Sequence, residues 1–126
     1  MTESATAAPG APTILLVDDE PAVRQLFASA LQRAGYLVHQ ARTGEEAVSL
    51  FEAHPAIDLL LTDIRMPEMS GVELVRLLSA RAPDLKVICI SGYPGAETDP
   101  VITRHYLAKP FSRADLLAKV REVLGA

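Results

Sequence analysis

The chain has 126 residues, the size of one ordinary globular domain, and its hydrophobic fraction of 49% is enough to build a packed core. A net charge of −4 argues against a nucleic-acid-binding surface. One cysteine excludes an internal disulfide framework, and no apolar stretch approaches the length needed to span a bilayer.

Residues 1–12 are rich in Ala, Pro, Ser and Thr and lack the basic start and apolar centre of a signal peptide. They read as a flexible leader to a single domain over 13–126, expected to be cytoplasmic. From Thr13 onward, strand-like and helix-like segments alternate. Thr13 to Val17 is a short apolar run of strand type. Pro21 suits the first turn of a helix whose inner face is Val23, Leu26, Phe27, Ala30, Leu31 and Ala34, stopped by Gly35. A second strand is predicted over Tyr36 to His39. Thr43 with Glu46 three residues on has the capping-box pattern, opening a helix that buries Ala47, Val48, Leu50 and Phe51.

A third strand follows over Ile57 to Thr62, then a helix over Gly71 to Ala80 with Val72, Val75 and Leu78 inward. Lys86 to Ile90 is the fourth strand, within which Cys89 reads as a small core residue. Gly92, Pro94, Gly95 and Pro100 discourage a long helix over 92–104. A fifth strand is predicted at Tyr106 to Ala108. The last helix starts near Ser112, with Asp115 three residues on, and buries Leu116, Leu117, Val120 and Leu124. Strands that are continuously apolar are covered on both faces, so the alternation predicts a doubly wound α/β domain with a parallel sheet.

In such sheets ligands bind at the carboxyl ends of the strands. Asp18 and Asp19 follow the first strand, Asp63 the third, Ser91 the fourth and Lys109 the fifth; the second ends without an obvious site residue. Three carboxylates held close repel one another, and a hard divalent cation such as Mg²⁺ relieves that repulsion. One carboxylate can then attack phosphorus while a lysine and a hydroxyl stabilise the transferring oxygens. Each residue alone has a plainer reading. Asp18-Asp19-Glu20-Pro21 suits a helix N-terminus, Asp63 a turn, Ser91-Gly92 an ordinary loop, and Lys109 a solvated surface. Four strand ends supplying matched groups to one rim favour a site. Asp58 opens the third strand about 16 Å from Asp63 at the opposite end. His39, His54 and His105 have no ligand spacing, and neither a glycine-rich phosphate loop nor a G-x-S-x-G elbow is present.

Four segments carry a family resemblance: Ile14-Leu15-Leu16-Val17-Asp18-Asp19-Glu20, Asp58-Leu59-Leu60-Leu61-Thr62-Asp63-Ile64-Arg65-Met66-Pro67, Ile90-Ser91-Gly92 and Tyr106-Leu107-Ala108-Lys109-Pro110-Phe111. Residues 13–124 resemble a receiver domain of the bacterial two-component response regulators. The resemblance implies a flavodoxin-like five-stranded parallel sheet of order 2-1-3-4-5 with helices on both faces. It implies that Asp63 takes a phosphoryl group from a phosphohistidine on a histidine kinase or histidine phosphotransfer protein. It further implies Mg²⁺ held by Asp18, Asp19, Asp63 and the backbone carbonyl of Arg65, with Asp19 the more direct of the paired ligands. Lys109 and Ser91 would contact phosphoryl oxygens, Tyr106 would be the aromatic switch, and the Lys109-Pro110 bond would be cis. The chain departs from the family where Ser91 to Lys109 is about one helical turn short, so the fourth helix is expected to be short or irregular. Arg65 and Tyr93 border the phosphoryl position and are candidates to shield it from water; the plainer reading makes both solvent-facing loop residues.

The leading expectation is a stand-alone phosphoacceptor module, monomeric or weakly dimeric, binding neither nucleic acid nor membrane and catalysing only its own phosphorylation and dephosphorylation. A receiver cut from a hybrid kinase is a variant of it. A Mg²⁺-dependent phosphohydrolase would place its nucleophile after the first strand in an Asp-x-Asp pattern and need a cap, for which the chain is too short. A phosphorylation-independent pseudo-receiver is disfavoured because every expected site residue is present.

Overall fold

The computed structural model describes residues 10–54, 56–66, 68–92 and 105–125. In chain order the elements are β1 (Thr13–Val17), α1 (Pro21–Arg33), β2 (Leu37–Ala41), α2 (Gly44–Ala53), β3 (Leu59–Asp63), α3 (Gly71–Arg81), β4 (Lys86–Ser91), β5 (Tyr106–Ala108) and α4 (Arg113–Leu124). The five strands form one sheet of order β2-β1-β3-β4-β5, and every neighbouring pair is parallel. This is the expected doubly wound α/β architecture. The expected irregular fourth helix, Tyr93 and most of the leader lie outside the described residues.

Side chains that alternate along each strand split the core in two, as the period of a strand requires. On one face Leu15, Val17, Leu60 and Cys89 pack with Ala47 and Phe51 of α2 and Leu74, Val75 and Leu78 of α3. On the other, Ile14, Leu16, Leu59, Leu61, Ile88 and Ile90 meet Ala28 and Leu31 of α1 and Leu116 and Val120 of α4. All five residues of β3 are buried, which suits the central strand of a sheet covered on both sides.

Helix starts are set by side-chain caps. Ser70 with Glu73 and Ser112 with Asp115 each form a reciprocal capping box at the start of α3 and α4. At α2 only half of the predicted box forms. Thr43 accepts from the Glu46 N–H at 3.0 Å, but the Glu46 carboxylate accepts from Arg42 N–H at 2.8 Å instead of from Thr43.

Several boundaries differ from the sequence expectation. β2 begins and ends later than Tyr36 to His39, because its residues pair with β1 from Thr13↔Leu37 to Val17↔Ala41. β3 begins at Leu59 and includes Asp63, so the nucleophile candidate is the last residue of its strand. Leu26, expected on the inner face of α1, is 62% exposed, whereas Leu74 of α3, absent from the expected inner face, is fully buried. Asp58 is exposed at the amino end of the sheet, where its carboxylate accepts from the Thr13 N–H at 2.9 Å.

Candidate functional site

The carboxyl ends of β1 and β3 lie side by side in the sheet, and this adjacency brings Asp18 and Asp19 to Asp63. One carboxylate oxygen from each of the three lies within 4.8 Å of the others. Asp18 and Asp63 are buried, at 2% and 7% exposure, whereas Asp19 is exposed. From the other side, β4 and β5 pair as far as Ser91↔Ala108, which sets Lys109 one residue beyond the sheet. Its Nζ reaches Asp63 Oδ2 at 3.0 Å. Asp63 Oδ1 accepts from the Arg65 N–H at 3.2 Å.

Backbone contacts hold this geometry in place. The Ile64 N–H donates to Ile90 O at 3.0 Å, and the Gly71 N–H to Ile64 O at 2.8 Å. Gly71 packs so tightly that a Cβ there would meet the Asp63 carbonyl oxygen and lie 2.8 Å from Ile64 Cα. Only a residue without a side chain allows α3 to start this close to the end of β3. The Ser91 carbonyl accepts two donors, the Lys109 N–H at 2.9 Å and the Tyr106 hydroxyl at 3.3 Å. Tyr106 is half-buried against the α2–α3 side of the core. The Lys109-Pro110 peptide is cis.

Asp18 is held at three of its polar atoms. Its N–H donates to Ala41 O at 3.1 Å, and its Oδ1 accepts from Glu20 N–H at 2.9 Å. Its carbonyl accepts from Arg24 Nη1 at 2.8 Å, while Arg24 Nε donates to Gln40 Oε1 at 3.3 Å. Its Oδ2 is buried with no hydrogen-bond partner among the described residues. Burial raises the Asp18 carboxyl above the usual aspartate range, and the charges of Asp63 and Asp19 add to that; the Glu20 N–H and Lys109 oppose without reversing it. Burial alone would lower Lys109. The hydrogen bond and charge of Asp63, with Asp18 and Glu20, outweigh it and hold the ammonium above its ordinary value. A rim of hard carboxylate oxygens that includes a buried, unpartnered one fits a small divalent cation such as Mg²⁺.

The sequence-predicted residues Asp18, Asp19, Asp63 and Lys109 thus share one site, with Ser91 on the adjoining strand end and Arg65 contributing its N–H to Asp63. Arg24 and Gln40 were not anticipated. The nearest available signal was a lone arginine one turn past Glu20, together with a polar residue late in a strand.

Comparison with known proteins decides the family. The family model for the response regulator receiver domain matches residues 14–121. The chain belongs to the response regulator receiver domain family. This receiver domain is 42% identical over 127 residues to the sensor kinase CckA of Brucella abortus, covering 97% of this chain but 13% of the kinase. It is 37% identical over 117 residues to the response regulator receiver protein CpdR of the same organism, covering 90% of this chain and 97% of CpdR. Among solved structures, the response regulator protein TrrA of Thermotoga maritima, in complex with Mg(2+)-BeF, superposes with a TM-score of 0.81. It is 34% identical, and the match covers 89% of this chain and 98% of TrrA. No helix among the described residues is long and apolar enough to cross a membrane.

Proposed function

We propose that this receiver domain is the phosphoacceptor of a two-component or phosphorelay system, and that Asp63 is the residue phosphorylated. The observation that carries the reading is the setting of Asp63. It ends the central strand with two further acids within 4.8 Å and an ammonium at 3.0 Å. An Asp63 oxygen attacks the phosphorus of a phosphohistidine; the new O–P bond forms as the P–N bond breaks, and the imidazole nitrogen leaves with the electron pair. Lys109, whose ammonium is 3.0 Å from Asp63, would follow the charge onto a phosphoryl oxygen, and Ser91, at the end of the neighbouring strand, would donate its hydroxyl to another. Bound Mg²⁺, with Asp18, Asp19, Asp63 and the Arg65 carbonyl as its protein ligands, would neutralise the acidic rim and the incoming phosphoryl oxygens.

The donor is a histidine kinase or a histidine phosphotransfer protein, a reading supported by the likeness to a sensor kinase and to a response regulator. The domain acts catalytically only on its own phosphorylation and dephosphorylation. Phosphorylation would draw Ser91 toward the phosphoryl group, and Tyr106, hydrogen-bonded to the Ser91 carbonyl, would respond and alter the partner-binding surface.

The test is Mg²⁺-dependent labelling by acetyl phosphate, comparing wild type with Asp63→Asn. Labelling of wild type alone is expected. Equal labelling of both proteins would refute Asp63 as the acceptor, and sustained phosphate release from small phosphomonoesters would favour a phosphohydrolase instead.

A further inference from the structure

We infer that Arg24 and Gln40 are positioning residues that set the direction of the Asp18 carboxylate, an assignment that rests on the Mg²⁺-assisted reading above. Three of the four hydrogen-bonding atoms of Asp18 are engaged, and each bond comes from a different place. Its N–H is tied to Ala41 of β2, its Oδ1 to the Glu20 N–H, and its carbonyl to the Arg24 guanidinium. Oδ2 remains the buried oxygen without a partner among the described residues.

The Arg24 bond differs from the other two because its donor is a charged side chain. At 2.8 Å it is a charge-assisted hydrogen bond to the carbonyl of the peptide that joins Asp18 to Asp19. Fixing that peptide plane fixes where both acids leave the main chain. The guanidinium is itself oriented, since Nε donates to Gln40 at 3.3 Å. Gln40 belongs to β2, the edge strand whose end supplies no acid to the rim. The edge strand therefore contributes to the site indirectly, through Gln40, Arg24 and the Asp18 carbonyl.

The chemistry also explains why an arginine is needed. Its planar fork donates in two fixed directions at once, to Gln40 and to Asp18. A lysine ammonium keeps the charge on a flexible stem and cannot reproduce both directions. Arg24→Lys thus separates positioning from simple charge compensation. Partners that orient ligand groups typically change metal affinity by 10- to 100-fold when lost, and a brace acting through a backbone carbonyl belongs at the lower end, about tenfold.

The experiment titrates Mg²⁺ into ¹⁵N-labelled wild type, Arg24→Lys and Gln40→Leu, following the amide resonances of Asp18 to Glu20. The dispersed spectrum reports in the same samples that each variant is folded. Acetyl phosphate labelling is then measured across the same Mg²⁺ range. The expected result is an Mg²⁺ half-saturation raised about tenfold in Arg24→Lys and shifted less, in the same direction, in Gln40→Leu. Labelling should fall at low Mg²⁺ and recover as Mg²⁺ is raised. A folded Arg24→Lys with wild-type half-saturation overturns the inference while leaving the functional reading intact. Wild-type protein that shows no Mg²⁺-dependent shifts overturns that reading and the inference with it.

Discussion

Asp18→Asn isolates the cost of holding three acids at one strand end. The asparagine keeps the shape, and its carbonyl oxygen can still accept from the Glu20 N–H, now seen at 2.9 Å. It removes one negative charge from a group whose oxygens lie within 4.8 Å of one another; the buried Asp18–Asp63 pair costs about 3.5 kcal/mol at an effective dielectric of about 20, and the pair with exposed Asp19 costs much less because solvent screens it. It also replaces the buried, unpartnered Oδ2 with an amide that can donate to a neighbouring carboxylate, and an unsatisfied buried group costs about 1–3 kcal/mol. Against these stands the lost attraction to Lys109. The net expectation without Mg²⁺ at pH 7 is a variant more stable by about 1–3 kcal/mol, roughly 4 °C in Tm for each kcal/mol.

The pH dependence follows from the raised carboxyl of Asp18. A folded-state pKa above the unfolded value favours folding below the unfolded value, and that contribution is lost as pH rises through the folded one. The advantage of Asp18→Asn should therefore shrink in acid and be greatest at neutral pH. Urea denaturation in EDTA at pH 3 and pH 7, repeated with Mg²⁺ at pH 7, measures all three arms. Mg²⁺ should stabilise wild type more than the variant. A variant no more stable than wild type in EDTA at pH 7 would refute the argument that these acids are held together at a cost.

Gly71→Ala places a methyl group against the backbone of Asp63 and Ile64, so we expect a loss of about 1–3 kcal/mol and slower labelling. Gly44→Ala meets the Met69 side chain at 2.6 Å from Sδ and 2.8 Å from Cβ; Sδ can swing aside but Cβ is fixed to the main chain, so a loss of about 1–3 kcal/mol is expected here too, and an unchanged thermal midpoint would contradict this. The stacked rings of His39 and His54 lie 4.1 Å apart, and burial, then the His54 charge, lower the His39 pKa. Its stabilising contribution is then present above the unfolded value near 6.5 and lost as pH falls through the folded one. Wild type should lose more stability than His39→Asn between pH 8 and 5, and parallel urea midpoints would contradict this. Lys109→Ala should lower the labelling rate by at least tenfold, since it removes the ammonium 3.0 Å from Asp63. Arg65→Ala should shorten the lifetime of the labelled protein if its side chain shields the phosphoryl group, and an unchanged decay would reject that role.

What could be read from the sequence depended on whether the signal was local. The apolar run from Leu59 to Leu61 needs no partner to announce a buried strand, and the acids beyond Val17 and within Thr62-Asp63 follow from counting to the strand ends. Leu26 was misplaced because helical spacing shows that a face is apolar without showing how wide a strip the sheet covers. The end of β2 was missed because Gln40 and Ala41 are strand only by virtue of Leu16 and Val17 beside them. Glu46 turned to Arg42 for a similar reason, since the motif names two partners and the loop geometry selects one. Arg24 was illegible because its partners sit on the β1–α1 loop and on β2, which meet only after folding.

The Ser91 carbonyl, which receives both the Lys109 N–H and the Tyr106 hydroxyl, lies beyond the reach of side-chain mutation. Ser91→Ala would delete the hydroxyl and leave this junction standing, as would most replacements at that position. A mutational scan of position 91 therefore reports on the hydroxyl and is blind to the junction. Inherited variation faces the same barrier and can loosen it only from the donor ends. The accepting end of the link from the rim to the aromatic ring is in this sense written into the main chain; Tyr106→Phe would remove the donor on the ring side, and an amide-to-ester replacement at Lys109 the donor on the strand side.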